Sequence, residues 1–308
     1  MCSRMSNKRE AQILVTTAAI FAFLAVGANS AVSQNAPPAN DTLEGLKSAS
    51  ATGDPVAQFN LAIRYAAGDG IPKDPTQAAI LYRKAAEGGL PLAQFNLAHA
   101  LSRGDGVERD PAQAAEWYRK ASDQGLAIAE CNLGLMLRSG DGIPVNPEDA
   151  AKWFRKAADQ GDALAQVNLG EQYQKGEGVP RDYLEASSWY KKAAENGSAL
   201  AASLLGLMFA KGEGVPEDAN EAIKWLSKAA DQGDAEAMYN LAAVYVKGNG
   251  VKKDFPVAYM WLNLAASHFP KAISTRDQIE LVMDPKDIAK GQRLTREWLE
   301  KHKDNAPD

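Results

Sequence analysis

The sequence predicts an all-α protein: an α/α superhelical solenoid of helix–turn–helix units with a 36-residue period, closed by C-terminal capping helices. Three observations predict it. The octamer KAADQGDA stands at 156–163 and again at 228–235, two periods apart, with the variant KAAENGSA midway at 192–199. Five of the six tryptophans keep the same period: Trp117, Trp153, Trp189, Trp225 and Trp261. No strand-like alternation of apolar and polar residues interrupts the pattern. Periods of about 20–50 residues signal supersecondary units that cannot bury an apolar face alone and therefore stack.

The elements follow in order. Arg4, Lys8 and Arg9 precede the uncharged apolar run 11–28, and Ala28 and Ser30 offer a small-residue cleavage site. This is the three-part pattern of a secretory signal peptide over 1–30. Its rival is an uncleaved anchor, since the run lies near the lower limit for spanning a bilayer. Cleavage would leave the chain periplasmic or secreted; retention would tie it to the inner membrane. Residues 31–41 read as a flexible linker. Residues 42–55 read as a partial N-terminal repeat, because Gly53 falls in the column of unit-closing glycines. Six full repeats follow at 56–91, 92–127, 128–163, 164–199, 200–235 and 236–270.

The fourth repeat shows the logic of all six. Ala165, Leu169, Gly170 and Tyr173 share one face of a first helix, and Gly176 and Gly178 end it. Asp182 opens the second helix, in a column with Asp74, Asp110, Asn146, Asp218 and Asp254, whose oxygens suit the free amides of a first turn. Pro75, Pro111 and Pro147 follow three of these caps, as expected at the first helical position. Ala186, Trp189 and Ala193 form the second apolar stripe, and Gly197 closes the unit. The small column Ala62, Ala98, Gly134, Gly170, Gly206 and Ala242 predicts close helix approach. At the end of the array Phe269 stands where glycine is due. Residues 271–308 then read as capping helices and a tail, started by Asp284-Pro285, with Met283, Ile288, Leu294 and Trp298 placed to cover the last open face.

Composition narrows the function. The formal charge is −5, and removing 1–30 takes away three basic residues and Glu10, leaving −7. An acidic array without a basic block excludes a nucleic-acid partner. Cys131 is the one cysteine beyond Cys2, so no intrachain disulfide forms after cleavage, and its column (Phe59, Phe95, Val167, Tyr239) marks it as a buried thiol. His99, His268 and His302 fall in different elements, and no metal-ligand spacing or nucleophile elbow occurs. No catalytic residue, metal or cofactor is assigned, and no small-molecule substrate is evident. The G-x-G runs recur after helices, which makes them turns and not phosphate loops. Asp69, Asp105, Asp141, Glu177 and Glu213 between those glycines supply one carboxylate per turn, short of a calcium cage.

A binding surface remains. Asn60, Asn96, Asn132, Asn168 and Asn240 form a row on the first helices, opposite the core stripe. An amide both donates and accepts, so the row suits the backbone of an extended peptide; the structural alternative is a bond from each Asn to the neighbouring unit's backbone. Leu204 interrupts the row, with Leu207 one turn on and Leu200 one turn back. These leucines are either a local contact patch or packing against the sixth unit. Lys175, Lys211 and Lys247 precede the first-helix glycines, where a cation complements a helix C-terminus.

The unit A-x-x-x-L-G-x-x-Y-x-x-G-x-G-V-x-x-D followed by A-x-x-W-x-x-K-A-A-x-x-G, read in AQVNLGEQYQKGEGVPRDYLEASSWYKKAAENG, resembles the Sel-one-like repeat, a relative of the tetratricopeptide repeats. The resemblance spans about 42–270, and the ending AYMWLNLAAS before an Asp-Pro helix is similar to secreted bacterial members. It implies a non-catalytic scaffold or adaptor of the bacterial cell envelope, binding a protein or peptide on the concave face. It also implies that the partner could be a membrane-bound envelope protein, and that the role could be to regulate an envelope signalling or exopolysaccharide system. In related tetratricopeptide proteins the matching Asn binds peptide backbone or carboxylate, a role the resemblance extends to the Asn row here. The alternative is a cell-wall or polysaccharide-acting enzyme or binding protein. Some secreted members carry a disulfide in each repeat and are linked to β-lactam binding; this chain lacks those cysteines, and the activity is not carried over.

Overall fold

The computed structural model describes residues 42–302; the expected signal peptide, the linker and the last residues of the tail lie outside them. The described residues form fifteen helices and no strand. Helix α1 (Leu43–Ala51) stands ahead of six pairs: α2 (Pro55–Ala67) and α3 (Pro75–Glu87), α4 (Pro91–Arg103) and α5 (Pro111–Asp123), α6 (Ala127–Ser139) and α7 (Pro147–Asp159), α8 (Ala163–Lys175) and α9 (Tyr183–Glu195), α10 (Ala199–Lys211) and α11 (Ala219–Ala230), α12 (Ala235–Lys247) and α13 (Phe255–Ala265). Helices α14 (Lys271–Glu280) and α15 (Pro285–Lys301) close the array.

The caps explain the boundaries. Every second helix starts at its predicted Asp or Asn; Asp182 accepts from the Leu184 and Glu185 amides at 2.9 and 3.0 Å. Four first helices are capped as well, by Asp54, Asp162, Ser198 and Asp234. The two exceptions are α4 and α6, which begin after Leu90 and Leu126 with no side-chain acceptor. At the other end Gly176 takes φ of 74° and its amide donates to Gln172 O, a left-handed termination open to glycine. The second glycine of the turn answers to a different constraint. A Cβ on Gly178 would lie 2.2 Å from the Pro147 carbonyl oxygen, because the turn of one unit docks on the start of the preceding unit's second helix.

The predicted columns meet in the core. A Cβ on Gly170 would stand 2.6 Å from the Tyr190 ring, and on Gly134 2.7 Å from Phe154, so the small residue on each first helix receives the bulky one on its own second helix. Trp117, Trp189, Trp225 and Trp261 are buried between units. From α1 to α14 each helix packs on its neighbours in sequence, so stability is a sum of local interfaces. The last interface is covered by α15 packing on α13. Trp298 meets Trp261 edge to face at 6.0 Å and stacks on His302 at 4.2 Å, while Met283, Ile288 and Leu294 flank the same cluster. Among the described residues no helix is long and apolar enough to cross a membrane.

Candidate functional site: the first-helix face

The Asn row splits in the structure. Asn96 and Asn168 are 7% and 1% exposed, whereas Asn60, Asn132 and Asn240 are half-buried. The Asn132 and Asn168 amides donate to Ile128 O and Leu164 O at 2.7 and 2.8 Å. Those carbonyls lie four residues back in the same helix, so the structural alternative drawn from sequence needs correction at these two positions. A short amide on a helix reaches its own preceding turn before it reaches a neighbour. Asn240 is different: its Nδ2 is buried and has no acceptor. Leu204 packs, half-buried, against the core. Leu207 and Asn240 line one cavity of about 170 Å³ between α10, α11 and α12, together with Leu226, Val244, Lys211 and Lys247.

The bonds between units come from residues that sequence reasoning passed over. Gln58, Gln94 and Gln166 donate to Ser50 O, Ala86 O and Ala158 O, in or beside the last turn of the preceding second helix, at 3.4, 3.3 and 3.0 Å. The unit's own second helix adds a bond to the same amide: Gln124 donates to Gln94 Oε1 at 2.8 Å, and Asn196 to Gln166 Oε1 at 3.4 Å. The signal was present as Ala-Gln pairs at 57–58, 93–94 and 165–166. Glu130 occupies this column in the third repeat, 3% exposed, and accepts from Gln160 at 2.8 Å. Burial raises its carboxyl above the usual carboxylate range, against the opposing pull of Lys156 and the Gln160 bond. Beside it Cys131 is buried and its thiol is pushed well up by burial, with Asp162 accepting from it. An acidified thiolate would need the reverse.

Four of the five acidic turn residues, all but Glu177, have cationic partners. Asp141 takes both oxygens to Arg109 of the preceding turn, at 2.7 and 3.0 Å. Asp69 faces Arg64 at 3.8 Å, Asp105 faces Arg103 at 3.4 Å, and Glu213 faces Lys211 at 3.8 Å. Among the described residues no group of three or more His, Cys, Asp or Glu is arranged to hold a metal ion.

The description Sel1 repeat matches six consecutive spans of the chain, residues 55–90, 91–126, 127–162, 163–198, 199–234 and 235–268. Each span starts one residue before the repeat drawn from sequence. Among solved structures, a protective antigen present in uropathogenic Escherichia coli strains, displaying an SLR fold, is 36% identical, with a TM-score of 0.76. That match covers 86% of this chain and 56% of the antigen, so the chain spans little more than half the antigen's length. A Sel1 repeat protein from Oxalobacter formigenes is 35% identical with a TM-score of 0.64, covering 73% of this chain and 93% of that one. No curated protein sequence matched the chain.

Proposed function

We propose that this chain, which belongs to the Sel1 repeat family, is a non-catalytic scaffold of the bacterial cell envelope that holds a protein partner on its first-helix, concave face. Sel1 repeat proteins generally mediate protein–protein interaction. The observation that supports the reading is the cavity of about 170 Å³ whose lining includes Leu207 and Asn240, two of the residues singled out from sequence. Support for the envelope comes from the signal pattern over 1–30.

The test is photo-cross-linking in the native cell, with a probe at Leu204 and a control probe at Leu184, an exposed position on α9. The expected result is one dominant adduct from Leu204, an envelope protein, missing from Leu184. Equal adduct patterns at the two positions would remove the first-helix face as the binding surface. Fractionation of the same cells checks the compartment: the chain should leave with the periplasmic or membrane fraction.

A further inference from the structure

We infer that the junction between the fifth and sixth repeats is a pocket for one aliphatic side chain carried on an acidic segment of a polypeptide. The inference rests on the reading above and adds the place and the chemistry. Four observations carry it.

The first is a break in the docking of turns. At Gly106, Gly142, Gly178 and Gly214 a Cβ would stand 2.1, 2.4, 2.2 and 2.2 Å from backbone at the start of the preceding second helix. At Gly250 the nearest atom is Ala219 Cβ, at 3.3 Å. The first helical position holds Pro75, Pro111, Pro147 and Tyr183 in the other four junctions and the small Ala219 here. The second is what the space becomes. A cavity of about 170 Å³ opens beside Ala219, Leu207, Leu226 and Val244, large enough for one aliphatic side chain. In the three preceding repeats the column of Val244 holds Met136, Gln172 and Met208, all longer. Gln172 reaches far enough to donate to Pro147 O at 3.0 Å, so a long side chain in this column spans the gap that Val244 leaves.

The third observation is polar. Asn240 Nδ2 is buried at this cavity without an acceptor, and a buried donor left unpaired is destabilising unless an oxygen meets it. The fourth is charge. Arg103, Lys175 and Lys211 share one column and pair with Asp105, Glu171 and Glu213. Lys247, next in the column, makes no ion pair among the described residues, and Asn249 stands where the other turns carry an acid. Lys211 of the lining is held by Glu213, which leaves Lys247 as the cation of the lining without an ion pair among the described residues. An aliphatic side chain fills the apolar floor, its own backbone carbonyl accepts from Asn240, and a neighbouring carboxylate meets Lys247.

The probe is an acetylated, amidated pentapeptide of leucine flanked on each side by two aspartates, compared with the same peptide carrying glycine at the centre. Binding to the full-length protein is read by isothermal titration calorimetry. Burying the side chain should favour the leucine peptide by about tenfold or more. Val244→Met, a residue the array already uses in that column, should fill the pocket and remove this preference while the thermal midpoint is kept or raised. Lys247→Glu should weaken the leucine peptide by about tenfold. Equal binding of the two peptides, or a preference untouched by Val244→Met, overturns the pocket. The Leu204 adduct is scored separately: if it persists while the pocket fails, the scaffold reading stands and this assignment alone falls.

Discussion

At the scale of single residues, the array shows where one letter departs from its column. Glu130 replaces a glutamine that elsewhere donates an amide proton across the unit boundary. A carboxylate cannot donate, and burial penalises its charge. Its folded pKa lies above the ordinary carboxylate value. Its stabilising contribution is therefore complete below that ordinary value and is lost as pH rises through the raised one. Lys156, Gln160 and Asp162 are the groups that act on it. Glu130→Gln should consequently stabilise the protein at pH 7 by about 1 kcal/mol, with the gain shrinking as pH falls through the raised value toward the ordinary carboxylate value. Urea unfolding of both proteins at pH 7 and pH 4 measures it; a gain independent of pH would mean that the carboxyl's charge is not the cause. Gly170→Ala should cost about 1–3 kcal/mol, since its Cβ would stand 2.6 Å from the Tyr190 ring, and the same urea midpoints report it. The glycine column was legible in sequence because it recurs. The roles of Gln94 and Asn168 were not, because an amide side chain in a helix chooses among several carbonyls and the choice depends on which lies within reach in three dimensions.

At the scale of the element, boundaries followed from local chemistry. The six second-helix caps sit where Asp or Asn precedes an apolar stripe. Asp182→Ala removes the acceptor for two amides and should lower stability by about 1 kcal/mol, read as a drop in the thermal midpoint with the helical circular-dichroism signal kept below the transition. Such features are legible because a cap acts within one turn of its own sequence. The docking of each turn on the preceding second helix was not legible: the paired glycines read only as helix ends. That the second glycine answers to a neighbouring backbone emerges when Gly178 is placed against Pro147. The loosened contact at Gly250 is a property of two elements some thirty residues apart, and no local pattern announces it.

At the scale of the whole molecule, the ends decide whether a stack of nearest-neighbour interfaces holds. Helix α15 supplies the final one through Trp298 against Trp261. Trp298→Ala should cost about 3–5 kcal/mol, and hydrogen exchange should rise first in α12 and α13, falling off toward α2, since each unit leans only on its neighbours. Uniform acceleration along the chain would contradict a nearest-neighbour array. The octamer that repeats at 156–163 and 228–235 also has a genetic consequence. Joining the first copy's position to the second deletes two repeats in frame, and the surviving partners are equivalent: Gln232 takes the place of Gln160 opposite Glu130, and Asp234 takes that of Asp162 as the cap of the next helix. A recombination in frame between the two identical stretches would therefore yield a protein shorter by two repeats whose new junction keeps these two partners, so the length of the array can change in one crossover while the handover between units keeps its chemistry.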